Sequence, residues 1–428
     1  MAANSGEERR VESSTMRNHA GQDVSILMTV FFMKFAGFWL AANPAEQFRR
    51  RIAFYYTAGA VSFAVYVELT DFYFSRDNFS EAIYILCNVM TLVLVLCKMF
   101  ILSLHRTKFM NLIRYMQDHF WNLNYDPRES MIVKECRKKC TYFVCSFTFF
   151  AQGTVVGYVV TPIVENVGKN ESDRVLPFTM WVDLPFSITP YYEIMFVVQV
   201  LSLYTVGICY FCFDNLLCIM NLHTAGQFRI LQYRLKKSYQ GNEGNTYNDN
   251  TIHVDYCKKN QLNAVYDNLK KCIQHHQVLI KYCDDLNHVF TFIVLGQVLL
   301  FSILICLVGY QILLADAAPT RRAIFIFYIT GTLLQLMMFT YSCNLLTDQS
   351  GNVAEAAYSS SWISMPLNET GRFLRKDLLM IIMRARRPCI LSAGGFFPVS
   401  LETYTGVMST AMSYFTLLKQ STIEVADA

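Results

Sequence analysis

The chain has 428 residues, of which 53% are hydrophobic and only 16% charged, with a net charge of +4. A water-soluble domain carries about 25% charged residues, so this composition excludes one and points to a polytopic membrane protein. The basic residues are scattered through short loops, which excludes a nucleic-acid-binding face.

Residues 1–23 are polar and hold no apolar core followed by a small-residue cleavage site, so the amino terminus is expected to stay on the side where it is made. The apolar stretch 24–42 is short, is broken by Lys34 and ends at Asn43-Pro44. It is expected to lie against the membrane or fold back within a cytoplasmic segment, 1–51. Seven later segments can each cross the ~30 Å hydrocarbon core at ~1.5 Å per residue. They are 52–69, 82–104, 141–162, 195–222, 288–315, 323–346 and 396–418.

The basic residues set the orientation. Segment 1–51 and the loops 105–140, 223–287 and 347–395 hold 30 Lys and Arg, whereas loops 70–81, 163–194 and 316–322 and the tail hold 6. Positive charge stays cytoplasmic, which puts the amino terminus inside and the carboxyl terminus outside, the reverse of a G-protein-coupled receptor. The expected fold is therefore all-α, with seven transmembrane helices. Two N-glycosylation sequons, at Asn78 and Asn170, fall on outside loops, and a third, at Asn368, falls inside and is expected to stay unused. None of the 14 cysteines falls in an outside loop, as suits a chain without structural disulfides.

Loop 223–287 reads as two helical extensions around a polar tip, SYQGNEGNTYNDNT. Phe228, Leu231 and Leu235 mark one side of the first extension. Leu262, Val265, Leu269, Cys272, His276, Leu279, Cys283 and Leu286 recur every three or four residues, one apolar seam leading into the fifth span. In 347–395, Leu374, Leu378, Ile381, Ile382 and Ala385 give RFLRKDLLMIIMRARR an apolar face, ended by Pro388 and Gly394-Gly395. These helices read as a cytoplasmic assembly region, with a coat on the inner leaflet as the alternative.

The last span carries a polar line. Glu402, Gly406, Ser409, Ser413, Thr416 and Gln420 are spaced 4, 3, 4, 3 and 4, one side of a helix that is otherwise greasy. Polar groups in a bilayer are tolerated facing a bundle interior or a cavity, so a water-filled axis between copies is one reading. Tight helix packing through small residues is the other.

Other features point to no chemistry. Cys209-Tyr-Phe-Cys212 has a redox-like spacing but sits inside a span, without the βαβ context that spacing requires. His275-His276 and Asp284-Asp285 are adjacent pairs whose members point ~100° apart, so they form no ready metal face and read as solvated surface. Lys98, near the inner end of its span, is expected to extend its ammonium to the interface. Motifs for zinc proteases, dinucleotides, nucleotides and hydrolases are missing, so neither an enzyme nor a cofactor is expected.

The carboxyl-terminal third resembles insect odorant receptors. The likeness runs from AAYSSSWISMP through RKDLLMIIMRARRPCILSAGGFFPVSLETY to SYFTLLK, with weaker similarity in GQFRILQYRL and HHQVLIKYCDDLNHVF. It implies an odorant-gated cation channel in the plasma membrane of a sensory dendrite, assembled as a tetramer from a ligand-binding subunit and a shared co-receptor, with the last helix lining the pore. Departures from the co-receptor at Met412, Thr416 and Lys419 imply the ligand-binding subunit. Glu402 then lies at the cytoplasmic mouth, and Leu417 resembles the family's hydrophobic constriction. The family's pocket lies in the outer halves of spans two to six. Here those halves offer Tyr84, Cys87, Asn88 and Thr91; Phe149, Phe150, Gly153, Gly157 and Tyr158; Met195, Gln199 and Leu203; and Phe327, Tyr328 and Thr332. The implied organisation is spans one to four (52–222) for ligand, loop 223–287, spans five and six (288–346), an amphipathic half-helix (347–395) and the pore helix (396–420). A gustatory-type homomeric channel and a secondary transporter are the competing functions.

Overall fold

The computed structural model describes residues 23–121, 125–170, 173–181, 188–237, 251–315, 318–360 and 369–427. Its helices are α1 Val24–Phe35, α2 Pro44–Ser75, α3 Phe79–Leu104, α4 Arg106–Met116, α5 Pro127–Glu165, α6 Tyr191–Lys237, α7 Thr251–Leu313, α8 Pro319–Tyr358, α9 Glu369–Ala385 and α10 Leu401–Asp427. A π turn, Gln117–Trp121, prolongs α4, and a two-residue hairpin, β1 Ser392–Ala393 with β2 Phe397–Pro398, precedes α10. Among the described residues, six helices, α2, α3 and α5 to α8, are long and apolar enough to cross a membrane. With α10 they form an all-α bundle of seven transmembrane helices.

At 12 residues, α1 is about 18 Å long and too short to cross. Gly37 turns the chain back into α2. Its φ is +79°, and a Cβ there would stand 2.6 Å from the backbone nitrogen of Phe54 and 2.7 Å from the carbonyl oxygen of Arg50, so only glycine fits. The Arg50 guanidinium fastens the corner by donating to the Lys34 carbonyl at 2.8 Å and to Glu46 at 2.6 Å.

The bundle is arranged around α6. This helix has no continuous polar face, and such a helix is stable only with neighbours on all sides. Every residue from Ile208 to Phe228 is buried. Along it pack α5, α8, α2 and α1, while α3 and α7 complete the ring. Cys209 and Cys212 are free thiols within this core.

Lys98 does not reach toward the interface as the sequence suggested. It is fully buried, and its ammonium meets the Asp214 carboxylate of α6 at 2.7 Å. Asp214 also accepts from Gln297 of α7 at 2.8 Å and from Gln335 of α8. Gln335 in turn accepts from the Tyr210 hydroxyl, and the ammonium lies 5.3 Å from the centre of the Tyr210 ring. The partner for Lys98 is 116 residues away in sequence, and a lone lysine gives no sign of it.

Beyond the spans, the helices continue as one packed unit. Asp126 and Glu129 form a capping box at the start of α5, and Glu129 receives Arg234 of α6 through two hydrogen bonds, 2.7 and 3.2 Å. The seam on α7 is buried at Leu269, Cys272, His276, Leu279, Cys283 and Leu286, with Val265 packed beside it; the Leu262 side chain lies outside the described residues. Phe228, Leu231 and Leu235 are buried too, as are Leu374, Leu378, Ile381 and Ala385 on α9, which packs on α8 and α7. Asn368 and the 238–250 tip lie outside the described residues.

Two more expectations change. The last span does not begin at 396, because Gly394 and Gly395, with φ of +60° and +80°, reverse the chain into the hairpin. Pro398 and the Ser400 hydroxyl, which accepts from the Glu402 backbone N–H at 3.2 Å, set the helix start at Leu401. The hairpin is stitched to α7. Asn287 accepts from the Ser392 N–H at 2.9 Å, and Thr291 donates to the Ser392 carbonyl at 2.8 Å.

The histidine pair is not solvated surface either. His276 is buried, its ring edge-on to Phe228 with centres 6.3 Å apart. Burial pushes the His275 and His276 imidazoles down to about 4, with Arg234 and Arg384 respectively adding to the effect. Both are depressed bases: the unfolded chain takes up protons below about 6.5, whereas the folded one resists until about 4. Stability is therefore intact above pH 6.5 and lost as pH falls from there to 4, by up to about 3 kcal/mol for His276. Thermal melting of the detergent-solubilised protein is expected to fall across this window, with a shallower slope in His276→Gln. Equal slopes would contradict a buried neutral imidazole.

Candidate ligand cavity and the seventh helix

A cavity of about 110 Å³ lies between α2, α3, α5, α6 and α8, on the side that the charge distribution assigns as outer. Its wall includes Phe63, Ala64, Val67 and Glu68 of α2, and Phe147, Ala151 and Val155 of α5. Ser202, Val206 and Tyr210 of α6 and Gly331 of α8 complete much of the rest. An apolar cavity of ~150 Å³ takes a benzene ring, so this one, smaller but not fully enclosed, is of the order that a small volatile molecule needs. Phe178, from the segment between α5 and α6, covers it. The Gln199 amide holds Phe178 by both backbone groups, accepting from its N–H and donating to its carbonyl, each at 3.0 Å. The Phe178 ring rests on Tyr158, with centres 5.7 Å apart. Close by, Trp181 stacks on Phe74 and donates to Asp71 at 2.9 Å.

Seven of the residues expected in a pocket line this cavity: Asn88, Thr91, Tyr158, Gln199, Leu203, Tyr328 and Thr332. Their polar atoms are largely spent on one another. Tyr158 donates to the Asn88 carbonyl oxygen at 2.8 Å, the Asn88 amide donates to Glu68 at 3.2 Å, and the Thr91 and Tyr328 hydroxyls share a hydrogen bond.

The other eight do not line it. Gly153 and Gly157 give α8 room, since a Cβ would come within 2.6 Å of the Phe327 ring and 2.8 Å of the Ile324 side chain. Phe150 packs against Phe327, and Phe149 is 65% exposed on the outer surface of the bundle. Tyr84 lies beneath the Arg321 guanidinium, 4.3 Å from its ring centre, and Cys87 belongs to a separate small cluster with Val308 and Phe325. Met195 lies one turn outward of Gln199, off the wall. Sequence reasoning missed Glu68, Tyr210 and Phe178. A carboxylate within a span was the available signal for Glu68; Phe178 had none.

On α10 the polar line is exposed along its length. Glu402, Gly406, Ser409, Ser413, Thr416 and Gln420 face away from the protomer, as does Leu417. The opposite side, through Val407 and Ala411, is buried against the bundle, and Phe415 packs over Gly309 of α7. Glu402 occupies the first turn, where a carboxylate also favours the helix dipole. Asn78, which caps α3, and Asn170 are both exposed.

The profile of the 7tm Odorant receptor family matches residues 78–412. The chain belongs to that family. Among curated odorant receptors, Odorant receptor 13a of Drosophila melanogaster is 26% identical over 408 residues, covering 91% of this chain and 93% of its own. Odorant receptor Or2 of Anopheles gambiae is 28% identical over 233 residues, 54% of this chain and 57% of its own. The solved olfactory receptor OR5 from Machilis hrabei superposes with a TM-score of 0.75 at 13% identity, over 92% of this chain and 97% of that one, and has also been solved with eugenol. The likeness to OR5 shows that the two share a fold, and as an odorant receptor the chain is not an enzyme.

Filling the cavity separates wall from packing. For a volatile that activates the receptor, Thr332→Phe is expected to raise the half-maximal concentration about tenfold or more, a loss of ~1.4 kcal/mol in binding. Phe149→Ala should leave dose responses unchanged. A cavity variant without effect would place the ligand elsewhere.

Proposed function

We propose that this odorant receptor is the odorant-binding subunit of a heteromeric, odorant-gated, non-selective cation channel, paired with a shared co-receptor in the plasma membrane. The observation carrying this reading is that one chain combines an apolar cavity with a membrane helix whose polar side is left uncovered. A small volatile ligand fits the first, whose largely apolar wall buries it. Permeating cations suit the second. When protomers meet around an axis, the line from Glu402 to Gln420 faces water, and a ring of carboxylates at Glu402 favours cations. Leu417, beside the line near its outer end, supplies an apolar ring that closes the path by dewetting. Opening then requires that the ligand bind the open arrangement better than the closed one. Asn78 and Asn170, exposed on the outer side, are the proposed glycan sites.

Expression with and without a co-receptor, screening small volatiles for inward current, tests the assignment. Ligand-evoked cation current only with the partner is expected. Currents from this chain alone would indicate a homomeric, gustatory-type channel, and saturable uptake without conductance a transporter. In the assembled channel, Leu417→Ala should raise the resting current and Glu402→Lys should lower cation preference. Unchanged currents in both would remove α10 from the pore.

A further inference from the structure

Two of the buried carboxyl groups, Asp214 and Glu68, have opposite surroundings. Asp214 has a full set of partners, with Lys98 supplying the opposite charge and two glutamine amides completing the shell. Glu68 is just as buried, 4% exposed, but sits in the cavity wall. One of its oxygens accepts from Asn88 at 3.2 Å, and no donor among the described residues reaches the other. Among the described residues, no Lys, Arg or His lines the cavity. Asp71, one turn further along α2, is acidic as well. Arg321, on the adjoining end of α8, is already held by Glu81 through two contacts, 2.7 and 3.3 Å, and covers the Tyr84 ring.

A carboxyl group removed from water is costly to ionise without a counter-charge, and bundles at membrane depth normally supply one to such groups. Here the protein leaves the pairing open on the side that faces empty space. Around that space stand the rings of Phe63, Phe147, Tyr158, Phe178, Tyr210 and Tyr328. Aromatic faces attract a cation as well as hydrocarbon, most strongly when water is excluded.

We propose that the cavity takes a small amphipathic amine, its ammonium group set against Glu68 and its hydrocarbon part among the aromatic rings. This rests on the reading of the cavity as the ligand site and adds the chemical class. Glu68 is the specificity-determining residue, and Asn88, itself fixed by Tyr158, positions its carboxylate. A neutral isostere loses the ion pair and keeps the hydrocarbon contacts, so the two kinds of ligand differ mainly at Glu68.

The test uses the receptor co-expressed with a co-receptor, and the isosteric probes benzylamine, benzyl alcohol and toluene, read as half-maximal concentration for inward current. Charge-assisted hydrogen bonds are worth roughly tenfold or more over a neutral contact, so benzylamine is expected to act at a concentration lower by at least that factor. Glu68→Gln should abolish this preference, and Glu68→Asp should retain part of it. Equal potency of amine and alcohol in the unmodified receptor, which needs no variant to fold, would overturn the proposal. So would an amine preference that survives in Glu68→Gln. If neutral volatiles alone activate and Thr332→Phe weakens them, the cavity is the ligand site but the amine assignment fails. If Thr332→Phe alters no response, the cavity reading itself fails, and this inference with it.

Discussion

The charge pair between Lys98 and Asp214 is the constraint around which the bundle is organised. It joins α3 to α6 at full burial and draws in α7 through Gln297 and α8 through Gln335, so four membrane helices meet at one carboxylate. An ion pair without water costs much in desolvation and is tolerated only when its remaining hydrogen-bonding capacity is met. Once made, it is hard to break. Removing one member of such a pair costs about 3–5 kcal/mol because the other is left as a buried charge. Apolar packing alone lets helices in lipid slide and rotate; this set of hydrogen bonds fixes their rotation.

That fixed rotation places the two features relevant to function. Tyr210 belongs both to the polar set and to the cavity wall, so the floor of the cavity is fastened to Asp214 through Gln335. On the far side, Gln297 lies on α7, the helix that holds the hairpin through Asn287 and Thr291 and supports α10. In the proposed reading, a ligand that shifts Tyr210 acts on the element against which the pore helix rests. Glu68, another buried carboxyl group, plays the opposite part in the proposed reading: a ligand in the cavity supplies the partner that its helices do not.

Helix positions and the cytoplasmic seams were legible because they depend on local periodicity. The seam from Leu269 to Leu286 is buried wherever it is described, since a three-and-four spacing forces one side inward whatever lies opposite. The start of α10 was misplaced by five residues because Phe396 and Phe397 are apolar enough to join a span, while the glycines before them dictate a reversal. The cavity was only half legible. Phe327 and Tyr328 are neighbours of similar character, and which one faces inward depends on the rotation of α8, which sequence does not disclose. Tyr328 lines the cavity and Phe327 covers Gly153. Gly153 and Gly157 suggested room for a ligand, but the room they leave is taken by α8. Lys98, read alone, looked like a residue seeking water, whereas a search for unexplained charges within spans would have found Lys98, Asp214 and Glu68 together.

The central claim is that α10 turns its polar side to the ion path and its Val407 and Ala411 side to the bundle. Single cysteines along α10, treated with a charged, membrane-impermeant thiol reagent during ligand-evoked current, test it most directly. Block at Ser409, Ser413 and Thr416, with none at Val407 and Ala411 or in the unmodified receptor, is the predicted pattern. Block that follows Val407 and Ala411, or no block at any position along the helix, would contradict it.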